Sequence, residues 1–398
     1  MIKFFKRWFF PFFVLFVVFC EQIFYCYLSI RGIILESGLL QYEFIAISVI
    51  AYMILLRDCL TSMRGISTRK VITPMVFLML FYYMVAFFQH AHYATLLRFG
   101  SICISSAIVG IHLNRRLCFY EIDCLLPYFV IFFGIIMGTV GLESAKQSEL
   151  LRDESGLSYQ KVSYYMAEMY AYSIYYVFFS SCREIKKFRI FRIVMMLMFV
   201  FCPIVCLLSG GRGAFVFIIF ITCFLLFMLC KSGRLKIPII IAGVLVSFFV
   251  FMFLAYKFDL WNSVGFSRIS NNISSDNERF IIREKALASF VTSPVFGHGL
   301  GSIWGEVGIY SHNMFLDFLV DGGIIGFIVG CLFFLKMFKR LFLLPGVNSC
   351  FIFFMIMFLK SFVMNLFSGY WFGVYQYWMI FGLLYSTSPS FIKKYEET

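Results

Sequence analysis

Three short polar clusters interrupt the otherwise apolar sequence between residues 207 and 330. Arg212 lies in the first cluster, Ser-Gly-Gly-Arg-Gly-Ala, Arg279 in the second, Asn-Glu-Arg-Phe, and His312 in the third, Ser-His-Asn. A guanidinium group binds phosphate through a rigid fork of donors, and a neutral imidazole accepts a proton near neutral pH. We expect the three clusters to meet the membrane on the same side, where together they suit chemistry on a lipid phosphate.

Arg212 is predicted to lie at the outer mouth between two membrane spans. Gly210, Gly211 and Gly213 leave its surroundings without side-chain bulk. The helix that follows adds backbone N–H groups and the positive end of its dipole, and both favour an anion. The alternative is an interfacial arginine whose charged end reaches the lipid headgroups.

Arg279 is predicted near the start of a short amphipathic helix, which the apolar spacing over residues 280–290 indicates. Arg283 follows one turn later on the same face of that helix. Either arginine, or both, is suited to bind a second phosphate. The alternative is that the arginines are exposed and paired with Glu278 or Glu284.

His312 is predicted to begin the tenth membrane span, at its outer boundary. There a neutral imidazole is able to take a proton from a sugar hydroxyl. The alternative is an ordinary interfacial histidine at a helix start. Asp317 and Asp321 lie deeper in the same span, where carboxylates are costly unless they are paired or face a wet cavity. They either line the same cavity or cap an inward break at Gly322 and Gly323.

The elements that must position these residues are membrane helices. The chain has 398 residues, of which 62% are hydrophobic and 14% are charged. It contains repeated apolar stretches of about 20 residues, the length that crosses a bilayer, and long runs without alternation exclude a β-barrel. The sequence predicts an all-α polytopic membrane protein with about 12 transmembrane helices. These spans lie near residues 9–29, 38–56, 71–89, 95–113, 124–142, 163–182, 190–208, 214–230, 237–256, 312–335, 349–366 and 371–387.

The distribution of basic residues predicts the orientation of the chain. Most of the 34 Lys and Arg residues fall in loops on the N-terminal side of the membrane, as is typical of cytoplasmic loops. Both termini are therefore predicted to be cytoplasmic, and the first span, which lacks a small-residue cleavage site, is expected to be retained. The net charge of +13 is dispersed over short loops that face anionic lipid, which argues against nucleic-acid binding.

The sequence shows no separate soluble domain. The whole chain, 1–398, is expected to form one integral membrane domain, in which 257–311 is the largest loop outside the membrane. None of the 13 cysteines lies in that loop, which argues against a disulfide framework, and no Cys/His spacing indicates a metal site. Three glycines within 297–301 form either a loop whose N–H groups approach an anion or sugar, or a plain turn.

Taken as a set, these motifs resemble the O-antigen polymerase (Wzy) and O-antigen ligase superfamily of bacterial membrane glycosyltransferases. The resemblance rests on four segments that lie between residues 209 and 316. They are Ser-Gly-Gly-Arg-Gly-Ala, Glu-Arg before an amphipathic helix, Pro-Val-Phe-Gly-His-Gly-Leu-Gly-Ser, and Ser-His-Asn-Met-Phe-Leu before a glycine-bearing span. Each segment is weak alone, and their order within a polytopic chain carries the resemblance.

The resemblance implies a GT-C-like membrane glycosyltransferase fold, with a periplasmic active site beneath the loop 257–311. It implies that Arg212 and Arg279 bind the pyrophosphate of an undecaprenyl-pyrophosphate-linked oligosaccharide, and Arg283 joins them by its position one turn from Arg279. His312 would be the catalytic group that activates the acceptor hydroxyl. No metal and no cofactor is implied. The protein would lie in the lipid bilayer of the bacterial inner membrane, with a chain-length regulator and a flippase as candidate partners.

Within this superfamily we favour an O-antigen polymerase, which adds the growing glycan to a new lipid-linked repeat unit. The preference rests on general likeness in size and in phenylalanine-rich sequence. An O-antigen ligase, which transfers the glycan to lipid A-core, uses the same chemistry, and no residue discriminates between the two. A transporter of lipid-linked oligosaccharides is less favoured, because the motifs gather at one surface and no repeat relates the two halves.

Overall fold

The computed structural model of the chain describes residues 2–19, 22–23, 103–104, 106–113, 119–146, 159–180, 182, 189–231, 256–257, 275–303, 307, 310–343, 350–367, 369, 371 and 374–386. Within these ranges, all regular secondary structure is helical. The chain divides into two compact units, Met1–Gln41 with Cys118–Ile273 and Tyr42–Leu117 with Ser274–Thr398. The spans predicted at 38–56 and 71–89 lie outside the described residues, as does the span at 237–256 apart from its last residue.

The first unit is built around one buried helix. Its helices are α1 (Ile2–Val18), α2 (Phe119–Lys146), α3 (Tyr159–Phe178), α4 (Arg189–Ser209) and α5 (Arg212–Lys231). The helix α3 packs against α2, α4 and α5 and is buried along most of its length. The helix α1 packs on α2, where Arg7 Nε donates to Glu121 Oε1 at 2.8 Å.

Buried carboxylates in the first unit are held by hydrogen bonds. Glu168 of α3 accepts from Gln22 Nε2 and from the Tyr172 hydroxyl, both at 2.9 Å. Asp123 of α2 accepts from the Tyr175 hydroxyl at 2.6 Å. A carboxylate away from water is costly unless such donors replace its hydration. These bonds therefore tie α3 to α2 and to the residues that follow α1.

The second unit contains one helix within the long predicted loop and the helices that follow this loop. Its helices are α6 (Ser275–Thr292), α7 (Met314–Leu343), α8 (Cys350–Phe367) and α9 (Tyr375–Ser386), together with the helical segment 106–113. The helix α7 packs against α6, α8 and α9. The segment 106–113 approaches α9 so closely that a Cβ at Gly110 or Gly382 would collide with backbone atoms of the other helix.

Several of these helices have the properties of membrane spans. Tyr120–Leu142, Arg189–Ser209, Arg212–Lys231 and Met314–Phe342 are long and apolar enough to cross a bilayer, and Arg7–Val18 and Phe351–Phe367 are shorter apolar helices. The chain is thus a helical membrane protein, as the sequence predicted. The full number of twelve spans stays a prediction.

The helix α7 is broken in the middle at Gly323, whose φ of 61° and ψ of −159° are not helical. The break leaves backbone groups without helical partners, and the preceding loop satisfies them. The N–H groups of His298 and Gly299 donate to the carbonyls of Val320 and Asp321 at 2.9 and 2.8 Å. In return, the N–H group of Ile324 donates to the carbonyl of Pro294 at 2.9 Å. The loop at 293–299 therefore completes the backbone hydrogen bonding of the broken helix.

Aromatic rings on the two sides of the break lie in contact. The ring centroids are 6.2 Å apart for Phe315 and Phe327, and 6.0 Å apart for Phe318 and Phe334. In a straight helix, residues twelve positions apart are separated by about 18 Å along the axis. The segment α7a (314–322) therefore folds back toward the segment α7b (324–343). The sequence predicted one span at 312–335 and left a break at Gly322 and Gly323 as one alternative, and the structure has the break at Gly323.

Gly323→Ala is predicted to destabilise the protein strongly. The backbone conformation at Gly323 is nearly restricted to glycine, and forcing another residue into it costs roughly 1–3 kcal/mol. A Cβ at this position would also collide with the backbone of Val295. We expect a clear fall in the midpoint temperature of unfolding of the detergent-purified protein.

The matched control for this variant is Gly134→Ala in α2. A Cβ at Gly134 would meet the flexible end of the Met198 side chain and no backbone atom, so this change is expected to have little effect. Equal unfolding midpoints for the two variants would contradict the role of Gly323 in the break.

Candidate functional site

The Ser-His-Asn cluster forms a strained turn immediately before α7. His312 has a φ of 58°, and it is the one non-glycine residue with positive φ among the described residues. Such a backbone conformation is costly for a histidine and is found mostly where the surroundings enforce it. On its C-terminal side, Asn313 caps the helix: its Oδ1 accepts from the Phe315 N–H at 3.0 Å. The side chain of His312 is thus set by a backbone that the fold holds in place.

The environment of His312 keeps its imidazole neutral. Burial lowers the pKa of His312 most, and the charges of Arg279 and Arg283 lower it further, to about 4. A hydrogen bond with the backbone of Phe367 opposes these effects in part. At neutral pH the ring is therefore uncharged, and in the absence of a ligand it is a weak base.

One nitrogen of this ring has no hydrogen-bond partner. The Nδ1 atom of His312 is buried, and no described residue bonds to it. The ring of Tyr310 covers one side of the imidazole, edge to face, with centroids 4.5 Å apart. A buried polar atom without a partner calls for an explanation, and a substrate hydroxyl is one that fits the chemistry of an imidazole.

The two arginines near His312 lie on α6, as the sequence predicted for a short amphipathic helix. This helix packs on α7, with Ala286 and Ser289 buried, while Arg279 is half-buried and Arg283 is exposed. Among the described residues, neither arginine forms an ion pair with a carboxylate, and Glu284 is exposed. The positive charges of both guanidinium groups lie close enough to His312 to lower its pKa.

The glycine-rich loop after α6 has a structural role. His298 Nε2 lies 2.7 Å from the Ser289 carbonyl and 2.9 Å from Thr292 Oγ1, at the C-terminal end of α6. The N–H groups of His298 and Gly299 are bonded to α7, and Gly297 lies against the backbone at Gly323. These groups are already used by the fold, so the plain-turn interpretation holds for them. The loop connects the helix that carries the arginines to the helix that follows the histidine.

Arg212 lies in the first unit, as the first residue of α5. The preceding Gly210 has a φ of 80°, and the N–H group of Gly211 donates to Ser163 Oγ at 3.1 Å. A Cβ at Gly211 would collide with Ser163, so the turn approaches α3 closely. The glycines beside Arg212 therefore serve the turn between α4 and α5, and Arg212 itself is half-buried at the start of a helix. A meeting of Arg212 with the groups of the second unit stays a prediction.

Sequence reasoning missed the group that holds the His312 turn together. The carboxylate of Asp317 accepts from the N–H group of Ser311 at 3.0 Å and from its hydroxyl at 2.6 Å. The sequence had left Asp317 as a cavity-lining or capping group. The spacing gave no capping-box signal for this contact, because Ser311 and Asp317 lie six positions apart and not three.

No group of three or more His, Cys, Asp or Glu side chains that could hold a metal ion occurs within the described residues. The groups that converge in the second unit are instead two guanidinium groups and an imidazole. Guanidinium groups suit an anion and a neutral imidazole suits a proton, so this combination, in a helical membrane protein, is a candidate site for an anionic ligand beside a proton acceptor.

Comparison with known families agrees with this interpretation. Residues 195–331 match the family model described as O-antigen ligase. The matched segment runs from α4 into α7 and includes Arg212, Arg279, Arg283 and His312. The resemblance to the O-antigen polymerase and ligase superfamily is thereby confirmed, and members of this family are glycosyltransferase-like enzymes. No curated protein and no solved structure matches the chain.

Arg283→Gln is predicted to raise the pKa of His312 from its value of about 4. The substitution removes a positive charge that disfavours the protonated imidazole, so protonation becomes easier. An NMR titration of the histidine ring resonances in the purified protein measures this pKa directly.

Lys285→Gln is the matched control, because it makes the same charge change at an exposed position of the same helix. Lys285 is not among the groups that lower the His312 pKa. A His312 pKa that is unchanged in Arg283→Gln, or that moves equally in Lys285→Gln, would contradict the described placement of Arg283.

Proposed function

We propose that the protein is an O-antigen polymerase, which transfers a growing undecaprenyl-pyrophosphate-linked glycan onto a new lipid-linked repeat unit. The observation that carries the proposal is the neutral imidazole of His312 beside two arginines without a described carboxylate partner. The match of residues 195–331 to the O-antigen ligase family supports it, because that family covers both polymerases and ligases.

In the proposed reaction, Arg279 and Arg283 bind the pyrophosphate of the donor lipid, and Arg212 joins them from the start of α5. His312 accepts the proton of the acceptor hydroxyl as its oxygen attacks the anomeric carbon of the donor glycan. The new glycosidic bond forms while the bond from that carbon to the pyrophosphate oxygen breaks. Undecaprenyl pyrophosphate leaves with the electron pair, and His312 then releases its proton to solvent.

The charges of the site fit this order of events. The arginines offset the negative charge that grows on the departing pyrophosphate. They thereby stabilise the transition state electrostatically without need of a metal ion. The bound pyrophosphate also neutralises the charges that lower the His312 pKa, so the imidazole becomes a stronger base once the donor is present. Donor binding thereby prepares the proton acceptor.

The ligase is the second candidate, because the matching family model carries that description. A ligase would use the same donor and the same groups, and would deliver the glycan to lipid A-core. We retain the polymerase as the first candidate for the likeness in size and phenylalanine-rich sequence. The acceptor is the difference that an experiment must resolve.

The proposal includes the location of the protein. We place the whole chain, 1–398, as one integral membrane domain of GT-C-like fold in the bacterial inner membrane, with both termini cytoplasmic. The loop 257–311 then lies in the periplasm and carries part of the active site. The protein partners consistent with this location are a chain-length regulator and a flippase for the lipid-linked repeat unit.

Arg212→Ala, Arg279→Ala and His312→Ala are each predicted to lower glycan transfer by about 100-fold or more, because each removes charge stabilisation or proton transfer. The measurement is the rate of transfer by purified protein in lipid, with a lipid-linked donor. Arg192→Ala and Lys285→Ala, at exposed positions, are the controls and are expected to keep normal rates. A residue whose substitution leaves the rate unchanged, in a protein that inserts normally, has no place in the mechanism.

Deletion of the gene is predicted to leave lipopolysaccharide in which the core carries a single repeat unit. A lost polymerase stops chain growth, while the ligase still transfers one unit. Gel electrophoresis of lipopolysaccharide from the deletion strain shows this pattern directly. Bare core with accumulated lipid-linked polymer would instead identify the protein as the ligase.

A further inference from the structure

The left-handed conformation of His312 needs a restraint on its N-terminal side. On its C-terminal side, Asn313 begins α7, and its carbonyl accepts from the N–H groups of Leu316 and Asp317 at 2.9 and 3.0 Å. A positive φ at a non-glycine residue is kept only when the neighbouring structure fixes the chain on both sides. The residue that precedes His312 is Ser311, which is fully buried.

Ser311 is held by a side chain from within the helix. The Oδ1 atom of Asp317 accepts from the Ser311 N–H at 3.0 Å and from the Ser311 hydroxyl at 2.6 Å. The Ser311 hydroxyl oxygen also accepts from the N–H group of Asn313 at 3.2 Å. These bonds join Ser311 to Asp317 and to Asn313, so the residue before His312 is held to the start of α7a. The backbone of His312 is thus enclosed between two fixed points.

The burial of Asp317 is unusual for a residue with only a local structural task. Its side chain is fully buried, and its second oxygen, Oδ2, has no hydrogen-bond partner among the described residues. Burying a carboxylate with one oxygen unsatisfied is costly. The two donors of Ser311 on Oδ1 offset part of this cost, and they place the side chain of Asp317 at the His312 turn.

A second aspartate in the same helix provides a comparison. Asp321 is also fully buried, but it lies at the break of α7, where Ser302 Oγ donates to its Oδ1 at 3.3 Å. This bond joins Asp321 to the end of the glycine-rich loop, whereas the bonds of Asp317 are to Ser311. The two carboxylates are similar in burial and differ in what they hold.

We propose that Asp317 is a positioning residue for His312, which acts through Ser311 to keep the imidazole beside Arg279 and Arg283. The proposal rests on the proposed function, in which His312 is the proton acceptor. In this proposal, Asp317 contacts neither the donor nor the acceptor substrate, and it fixes the orientation of the His312 imidazole through Ser311. Without Asp317, the turn relaxes to an ordinary backbone conformation and the ring leaves its buried place.

The experiment compares Asp317→Ala, Asp317→Asn and Asp321→Asn in the purified, lipid-reconstituted protein. For Asp317→Ala we expect kcat to fall by about 100-fold, the effect of a misplacement near 1 Å, with KM for the lipid-linked donor changed by less than about two-fold. Asp317→Asn keeps an oxygen that accepts from Ser311, so it should restore kcat to within about ten-fold of the natural protein.

The second readout is the pKa of His312, measured by NMR on histidine-labelled protein and assigned by its loss in His312→Asn. The groups that face the imidazole are Arg279, Arg283, the Tyr310 ring and the Phe367 backbone. Because Asp317→Ala releases the ring from burial and from the two arginines, the pKa should rise from about 4 toward 6.5. It should stay near its original value in Asp317→Asn and in Asp321→Asn.

An Asp317→Ala protein with unchanged kcat and an unchanged His312 pKa would overturn the proposal, and so would an equal shift in Asp321→Asn. Should Asp317→Ala fail to fold, Ser311→Ala is the replacement variant, because it removes the hydroxyl donor and leaves the carboxylate. An unchanged kcat and an unchanged His312 pKa in Ser311→Ala would then overturn the proposal. The NMR result stands apart from the proposed function. If His312→Asn transfers glycan normally, the proposed function fails, while the titration still shows whether Asp317 positions the ring.

Discussion

The break of α7 at Gly323 is the constraint on which the second unit depends. In hydrocarbon there is no water to satisfy a backbone group that a broken helix leaves free, so protein must supply the partner. The loop at 293–299 does this through hydrogen bonds to both sides of the break. Because that loop leaves the end of α6, the break also fixes α6 against α7. The backbone hydrogen bonds that the break at Gly323 needs therefore also hold α6, which carries the two arginines, against α7, which follows His312.

The packing of α6 on α7 determines the electrostatics around His312. Burial of the imidazole, and then the charges of the two guanidinium groups held near it, make its protonation unfavourable, so the ring stays neutral. Among the described residues, no carboxylate forms an ion pair with either arginine. In the proposed function, the pyrophosphate of the donor offsets the charge of the arginines, and the imidazole accepts the proton of the acceptor hydroxyl.

The sequence allowed the main elements of this site to be predicted, and the reasons are physical. The amphipathic spacing after Arg279 and the glycine turn before Arg212 are local signals, and both helices occur where the sequence indicated. The fold-back of α7 was not predictable in the same way. Hydropathy shows how apolar a segment is, but it does not show whether the helix continues in one direction. The composition of 312–335 was therefore compatible with a straight span and with a span that folds back. The glycine pair at 322–323 indicated a break but not its angle.

The left-handed conformation of His312 could not be predicted either, because a positive φ depends on tertiary contacts that the sequence alone does not reveal.

The proposed roles of the residues near His312 indicate where substrate specificity must lie. In the proposed reaction, the arginines bind the pyrophosphate of the donor and His312 contacts a hydroxyl of the acceptor, and a polymerase and a ligase would both use such a donor and such a hydroxyl. Polymerase and ligase differ in the acceptor, so the residues that choose between them must lie outside this set, on surfaces that contact the rest of the acceptor glycan. That is why motifs shared across the superfamily cannot by themselves separate its two activities.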